Sequence, residues 1–120
     1  MSYLEQELAL AKHASENLLE AFDKYYHDDV VMVEGTGEEF KGKESNRKRE
    51  EEFLASVQEW HGGGLGKVAS NESEAVTFVE MWMDVTFKDG NRMKMEQVSV
   101  KKWEGDQVIH ERFYYNMPGQ

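Results

Sequence analysis

The feature that most constrains this chain is a two-residue alternation running through its last third. In the segment 75–87, Thr77, Val79, Met81, Met83, Val85 and Phe87 fall on one side. Phe78, Glu80, Trp82, Asp84 and Thr86 fall on the other. Successive side chains of a strand point to opposite faces, so this is a long strand with one nearly apolar face. Segments 92–103 and 108–116 continue the pattern, and Lys88-Asp89-Gly90 and Glu104-Gly105-Asp106 separate them. Both separators read as three-residue hairpin turns. The first then places Met83 opposite Met95 and Asp84 opposite Lys94, an opposite-charge pair. The second places Trp103 beside Gln107, Ser99 opposite Glu111 and Gln97 opposite Phe113. In this register Met93, Met95, Gln97, Ser99, Ile109, Glu111, Phe113 and Tyr115 join the inner face. Glu96, Val98, Val100, Val108, His110, Arg112, Tyr114 and Asn116 join the outer one, and a slip of one residue would exchange the two sets.

The first part of the chain has a different period. Leu4, Leu8, Ala11, Ser15, Leu18, Phe22 and Tyr25 recur at spacings of four and three, which places them on one helical face. Asn17 with Glu20 has the form of a capping box, so the stretch divides into helices near 2–14 and 18–25. Val30-Val31-Met32-Val33 is a short strand, Glu34-Gly35-Thr36-Gly37 a turn, and Phe40 an anchor for the loop after it. Helix returns over 43–57, where Phe53, Leu54 and Val57 form an apolar side that extends back to Glu50 and Asn46. Residues 65–69 form a weak strand after a glycine run. The order is helices first and sheet last, an α+β class in a single domain over 1–120.

Composition excludes several functions. The 120 residues include no cysteine, so disulfides, thiolate metal sites and a cysteine nucleophile are absent. With 24 acidic and 14 basic residues the formal charge is −10, which disfavours nucleic acid and anionic membranes. No signal sequence and no membrane span is apparent, so a cytoplasmic protein is expected. The histidines His13, His27, His61 and His110 form no helical metal pair, and neither a metal nor another cofactor is expected. His61-Gly62-Gly63-Gly64 lacks the Gly-x-Ser-x-Gly elbow of a hydrolase and fits no dinucleotide or phosphate loop. It reads as a flexible lead into a strand.

Three segments carry a family resemblance. They are Tyr26-His27-Asp28-Asp29-Val30-Val31-Met32-Val33-Glu34, then Gly42-Lys43-Glu44, then Gly105-Asp106-Gln107-Val108-Ile109 leading into Glu111-Arg112-Phe113-Tyr114-Tyr115-Asn116. With the order of elements, these resemble the SnoaL-like branch of the nuclear transport factor 2-like superfamily over nearly the whole chain. The resemblance implies a cone, in which N-terminal helices pack over a curved antiparallel sheet and enclose a pocket. It also implies a homodimer formed through the outer sheet face. It leaves the reaction open, because such folds serve isomerases, cyclases, dehydratases, hydrolases and non-catalytic binders. The place of the ketosteroid isomerase base falls on Glu34. The oxyanion-hole donors of those enzymes have no match, since the first helix offers Leu8, Ala9 and Leu10 and the strand offers Ser99. The family's closing acid is replaced by Asn116.

Gln97, Ser99 and Glu111 are polar groups on an otherwise apolar face, and a carboxylate there requires partners or water. Two readings of Glu111 stand: it is satisfied by Ser99 or a wet edge, or it lines a cavity. Glu34 is either an exposed turn residue or a pocket base whose proton affinity a second carboxylate, Glu111 or Glu50, would raise. Asn46 and Glu50 point under their helix toward the pocket mouth or belong to a solvated face. The expected site therefore has Glu34 and Glu111 as catalytic carboxylates. Asn46, Glu50, Met81, Met83, Met95, Gln97, Ser99, Phe113 and Tyr115 would contact a small apolar or mixed organic ligand. The expected function is small-molecule binding with isomerase, cyclase or lyase chemistry. The alternative is a non-catalytic ligand-binding or dimerisation domain.

Overall fold

The computed structural model describes residues 1–115. Asn116, where the last strand was expected to end, and Pro118 and Gly119 beyond it lie outside the described residues. Helices α1 (Tyr3–Glu16) and α2 (Leu18–Tyr25) precede strands β1 (Tyr26–Val33) and β2 (Glu39–Lys41). Helix α3 (Lys43–Ser56) follows, then β3 (Val57–Asn71), β4 (Val76–Phe87), β5 (Arg92–Glu104) and β6 (Gln107–Tyr114). A single 3-10 turn, Glu72–Glu74, lies between β3 and β4.

Local chemistry sets the helix ends. Ser2 caps α1 in a reciprocal capping box with Glu5, an arrangement worth about 1 kcal/mol. Asn17 ends α1 and accepts the Glu20 backbone N–H to start α2. The face of α1 differs from the expected one. Glu7 and Leu10 are buried and Tyr3 and Ala14 pack against the core, whereas Leu8 is 46% exposed. The helix is thus turned by about one residue, or about 100°, from the stripe through Leu4, Leu8 and Ala11. A glutamate at position 7 conceals the true stripe, because its burial depends on partners far along the chain.

The six strands form one sheet in the order β2-β1-β6-β5-β4-β3. Four neighbouring pairs are antiparallel, but β1 runs parallel to β6. The expected curved antiparallel sheet thus contains one parallel seam, which no hairpin constrains. Register shifts interrupt β3–β4, β5–β6 and β1–β6, and such bulges bend the strands that carry them. The result is an α+β cone with helices against a curved sheet.

The β4–β5 hairpin has the expected register, with Met83 opposite Met95 and Asp84 opposite Lys94. Gly90 holds the left-handed position of its turn at φ +92°. The second hairpin differs. Glu104 pairs directly with Gln107, so the turn has two residues, Gly105 and Asp106. Gly105 has φ +61° and no positive φ occurs at Asp106, which is the pattern of a type II′ turn. A bulge follows between Lys102 and Trp103, after which Lys101 faces Glu111 and Ser99 faces Phe113. The shift from the expected pairing is two residues, so inner residues stay inner. Val108 is the exception: the bulge brings it inside opposite Trp103, fully buried, where the outer face was expected.

Strand β3 also extends the expectation, since His61-Gly62-Gly63-Gly64 lies within a long strand rather than leading into one. The Trp82 indole lies against this run. A Cβ at Gly64 would sit 3.1 Å from Trp82 Nε1. The core gathers Leu10, Ala21, Phe22, Tyr26, Val30, Met32, Trp103 and Val108 between helices and sheet. No helix among the described residues is long and apolar enough to cross a membrane.

Candidate functional site

Two polar clusters meet on the concave side. The deeper one joins α1, β1, β4, β5 and β6. Lys101 extends from β5 with its Nζ 3.1 Å from Glu7 and 3.4 Å from Glu111. All three side chains are almost completely buried. Glu111 also accepts hydrogen bonds from the Tyr26 hydroxyl and from Ser99 Oγ, the latter at 2.5 Å. Glu7 accepts from Thr77 Oγ1 at 2.8 Å, and Thr77 accepts from the Trp103 indole N–H at 2.9 Å. Among the described residues no buried side-chain nitrogen or oxygen lacks a partner. An unpaired charge here would cost several kcal/mol, so the triad depends on its mutual pairing and on these donors. Burial works to lower the proton affinity of Lys101, but Glu111 and Glu7 more than offset it and the net shift is upward. Burial, then the Glu111 charge, raises the Tyr26 hydroxyl well above its ordinary value.

The second cluster lies where β1 turns toward β2. Glu34 is paired with the Arg49 guanidinium and accepts the Tyr115 hydroxyl at 2.9 Å. Arg49 also donates to Asn46 Oδ1 at 3.0 Å and lies 3.6 Å over the Phe40 ring. Gly35 makes room for Tyr115, because a Cβ there would meet the phenol ring at 2.8 Å. Asn46 is fully buried, and its amide donates to the Phe40 and Gly42 carbonyls, tying β2 to the start of α3. Burial, then the bond to Glu34, raises the proton affinity of Tyr115.

Glu50 stands between the clusters on α3. It is half-buried, and no hydrogen bond to it is formed among the described residues. Burial and then the Glu111 charge push its carboxyl up to about 7, with Arg49 opposing and Glu34 adding. The inner face of the sheet is unevenly covered. Thr77, Val79, Val85, Ser99 and Lys101 are buried, whereas Met81, Met83, Met95, Gln97 and Phe113 remain half-exposed. Gln97 Nε2 lies 3.0 Å from Met81 Sδ across the β4–β5 pair. A groove of about 850 Å³ is lined mainly by outer-face residues, Glu80, Trp82, Lys94, Glu96, Val98 and Tyr114, and reaches Met81, Gln97, Tyr115 and Gly35 at its inner edge; Glu50 does not line it.

The structure thus brings Ser99 to Glu111, Tyr115 to Glu34, Met83 to Met95 and Gln97 to Met81. It leaves Glu34 and Glu111 in separate clusters, each bound to its own cation. Four site residues were not read from the sequence: Glu7, Tyr26, Lys101 and Arg49. Lys101 follows from the alternation 97, 99, 101, which continues onto the inner face. Arg49 lies one position from Glu50 on the helix face extended back to Asn46. Glu7 and Tyr26 give no local signal. Among the described residues no three His, Asp or Glu side chains converge as metal ligands.

No curated protein sequence matches the chain. Solved structures do. A protein from Mesorhizobium loti, provisionally named a SnoaL-like polyketide cyclase, is 27% identical with a TM-score of 0.73, over 90% of this chain and 97% of that one. A provisionally named polyketide cyclase from Pseudomonas putida KT2440 has a TM-score of 0.82 at 16% identity, over 98% and 93%. An LEH-like epoxide hydrolase of M. tuberculosis has a TM-score of 0.76 at 11% identity, over 95% and 82%. The last two show the fold alone. The family profile described as the SnoaL-like domain matches residues 6–115. With that match spanning nearly the whole chain, and with a cone of helices over a six-stranded sheet, this protein belongs to the SnoaL-like family.

Proposed function

We propose that this protein binds a small, largely apolar organic molecule over the methionine floor and moves a proton on it through Glu50. The reaction class is that of an isomerase, cyclase or lyase. The observation that carries this reading is the state of Glu50: a half-buried carboxyl, free of hydrogen-bond partners among the described residues and held at about 7. A general base works best when its proton affinity lies near the working pH. Glu34 and Glu111, the carboxylates expected to be catalytic, act in this reading as fixed charges on either side of Glu50. Glu34 is engaged by Arg49 and Tyr115, and Glu111 by Lys101, Tyr26 and Ser99. Gln97 and Tyr115 are the polar groups placed to orient a ligand, and Met81, Met83, Met95 and Phe113 supply adaptable apolar contact. The polyketide cyclase name given to the M. loti relative fits a base that removes a proton next to a carbonyl.

The test is deuterium exchange at the carbon next to the carbonyl in a panel of aromatic and alicyclic ketones. Glu50→Gln should slow exchange by about 10²–10⁴-fold and leave ligand-induced thermal stabilisation intact. Exchange that survives in Glu50→Gln and disappears in Glu34→Gln would move the base to Glu34. Stabilisation without exchange in the unaltered protein would support the non-catalytic binding domain instead.

We also propose that a second copy of the chain covers the outer sheet face, where Phe78, Trp82 and Tyr114 are 39%, 37% and 51% exposed.

A further inference from the structure

Among the described residues the concave side holds four carboxylates, Glu7, Glu34, Glu50 and Glu111, and two cations paired with them, Lys101 and Arg49. Arg49 is committed to Glu34. Lys101 is shared between Glu7 and Glu111, inside the protein and away from the groove. One cation therefore serves two buried carboxylates, and Glu50 adds a third carboxylate beside them. Two buried carboxylates sharing one ammonium, with a third carboxylate beside Glu111, favour the uptake of one proton. Which carboxyl takes it decides whether the site has a usable acid–base group. A proton on Glu7 or Glu111 is enclosed by Thr77, Trp103, Tyr26 and Ser99, out of reach of any ligand. A proton on Glu50 is on a half-buried carboxyl that no hydrogen bond engages among the described residues.

The geometry points to Lys101 as a positioning residue: by serving as counter-ion to both Glu7 and Glu111 it confines the exchangeable proton to Glu50. This rests on the reading of Glu50 as the proton-transfer group. Lys101 is buried between Glu7 and Glu111 and acts only through Glu111. The other charged groups that face Glu50 are Glu111 from β6, Glu34 from the end of β1, and Arg49 from its own helix. The Tyr26 hydroxyl faces it from the start of β1, and Glu7 lies behind Lys101.

The experiment is a carboxyl-carbon NMR titration of glutamate-labelled protein in four forms: unaltered, Lys101→Met, Lys101→Arg and Glu111→Gln. In the unaltered protein Glu50 should be half-titrated near 7. In Lys101→Met the proton should move inward, leaving Glu111 neutral at pH 7 and the midpoint of Glu50 lower by about one pH unit. A direct effect of losing a nearby cation would have the opposite sign and raise Glu50. Lys101→Arg should restore the original midpoint. Glu111→Gln, a change of similar shape that leaves Lys101 paired with Glu7, should by itself lower the Glu50 midpoint. It keeps the test decisive even if Lys101→Met fails to fold. Glu111 still charged at pH 7 in Lys101→Met, or a Glu50 midpoint unmoved in Glu111→Gln, overturns the inference and leaves the reading of Glu50 standing. A midpoint near 4.5 in the unaltered protein overturns that reading and the inference with it.

Discussion

Glu50 owes its proton affinity to position. A glutamate on an exposed helix titrates near 4.5, whereas the same residue pressed against the sheet beside Glu111 is held near 7. This couples stability to pH. Between those two values the folded protein binds more protons than the unfolded chain, so stability falls as pH rises. The loss is on the order of 2–3 kcal/mol, less whatever solvent screening the partial exposure of Glu50 permits. Urea denaturation of the unaltered protein should therefore give lower stability at pH 8 than at pH 5, and Glu50→Gln should reduce that difference. A difference unchanged in Glu50→Gln would assign the pH dependence to another group. The sequence allowed Glu50 on the inner face of its helix as one of two readings, since its spacing to Phe53, Leu54 and Val57 is local information. It did not show that Glu7 is buried, because Glu7 looks like any polar helix residue until Lys101 and Thr77 arrive from distant strands.

At the scale of elements, the two hairpins of the sheet show what turn chemistry decides. Lys88-Asp89-Gly90 places glycine at the end of the turn, where a three-residue connection requires the left-handed conformation, and its register was legible. Gly105 precedes Asp106 instead, and glycine at the first of two central positions marks a type II′ turn. The same two residue types in reverse order change the loop length, and the bulge beside Trp103 then brings Val108 inside. The even shift left the inner set Ser99, Glu111 and Phe113 recognisable although their partners changed. Replacing Gly105 with alanine forces a Cβ into a left-handed backbone and should cost about 1–2 kcal/mol, seen as a lower urea midpoint with unchanged slope. An unaffected midpoint would show that the turn is not held at positive φ. The helix face of α1 was misread for a related reason: Leu4, Leu8 and Ala11 make a plausible stripe, and the true one contains a charge.

On the scale of the whole molecule, the sheet has two unlike sides. The concave side buries its charges in pairs, and the outer side leaves aromatic rings exposed with cations resting on them. Lys94 lies over Trp82 and Arg112 over Tyr114. A second copy on that face would have to keep or displace those cations, so the association should weaken as salt screens them. Sedimentation at micromolar concentration should show a dimer, and a monomer at low salt would remove the outer face as an interface. The one parallel seam, β1 against β6, sets the timing of assembly. Tyr26 and Glu111 are 85 positions apart in the chain and meet side by side in the fold. A nascent chain that has already made α1, α2 and β1 must hold that strand without its inner neighbour until β6 has been synthesised. Closing so long a loop is slow. A chain cut short before β6 would keep Glu50 on its helix but lose Glu111, and with it the neighbouring charge that helps hold the Glu50 carboxyl up.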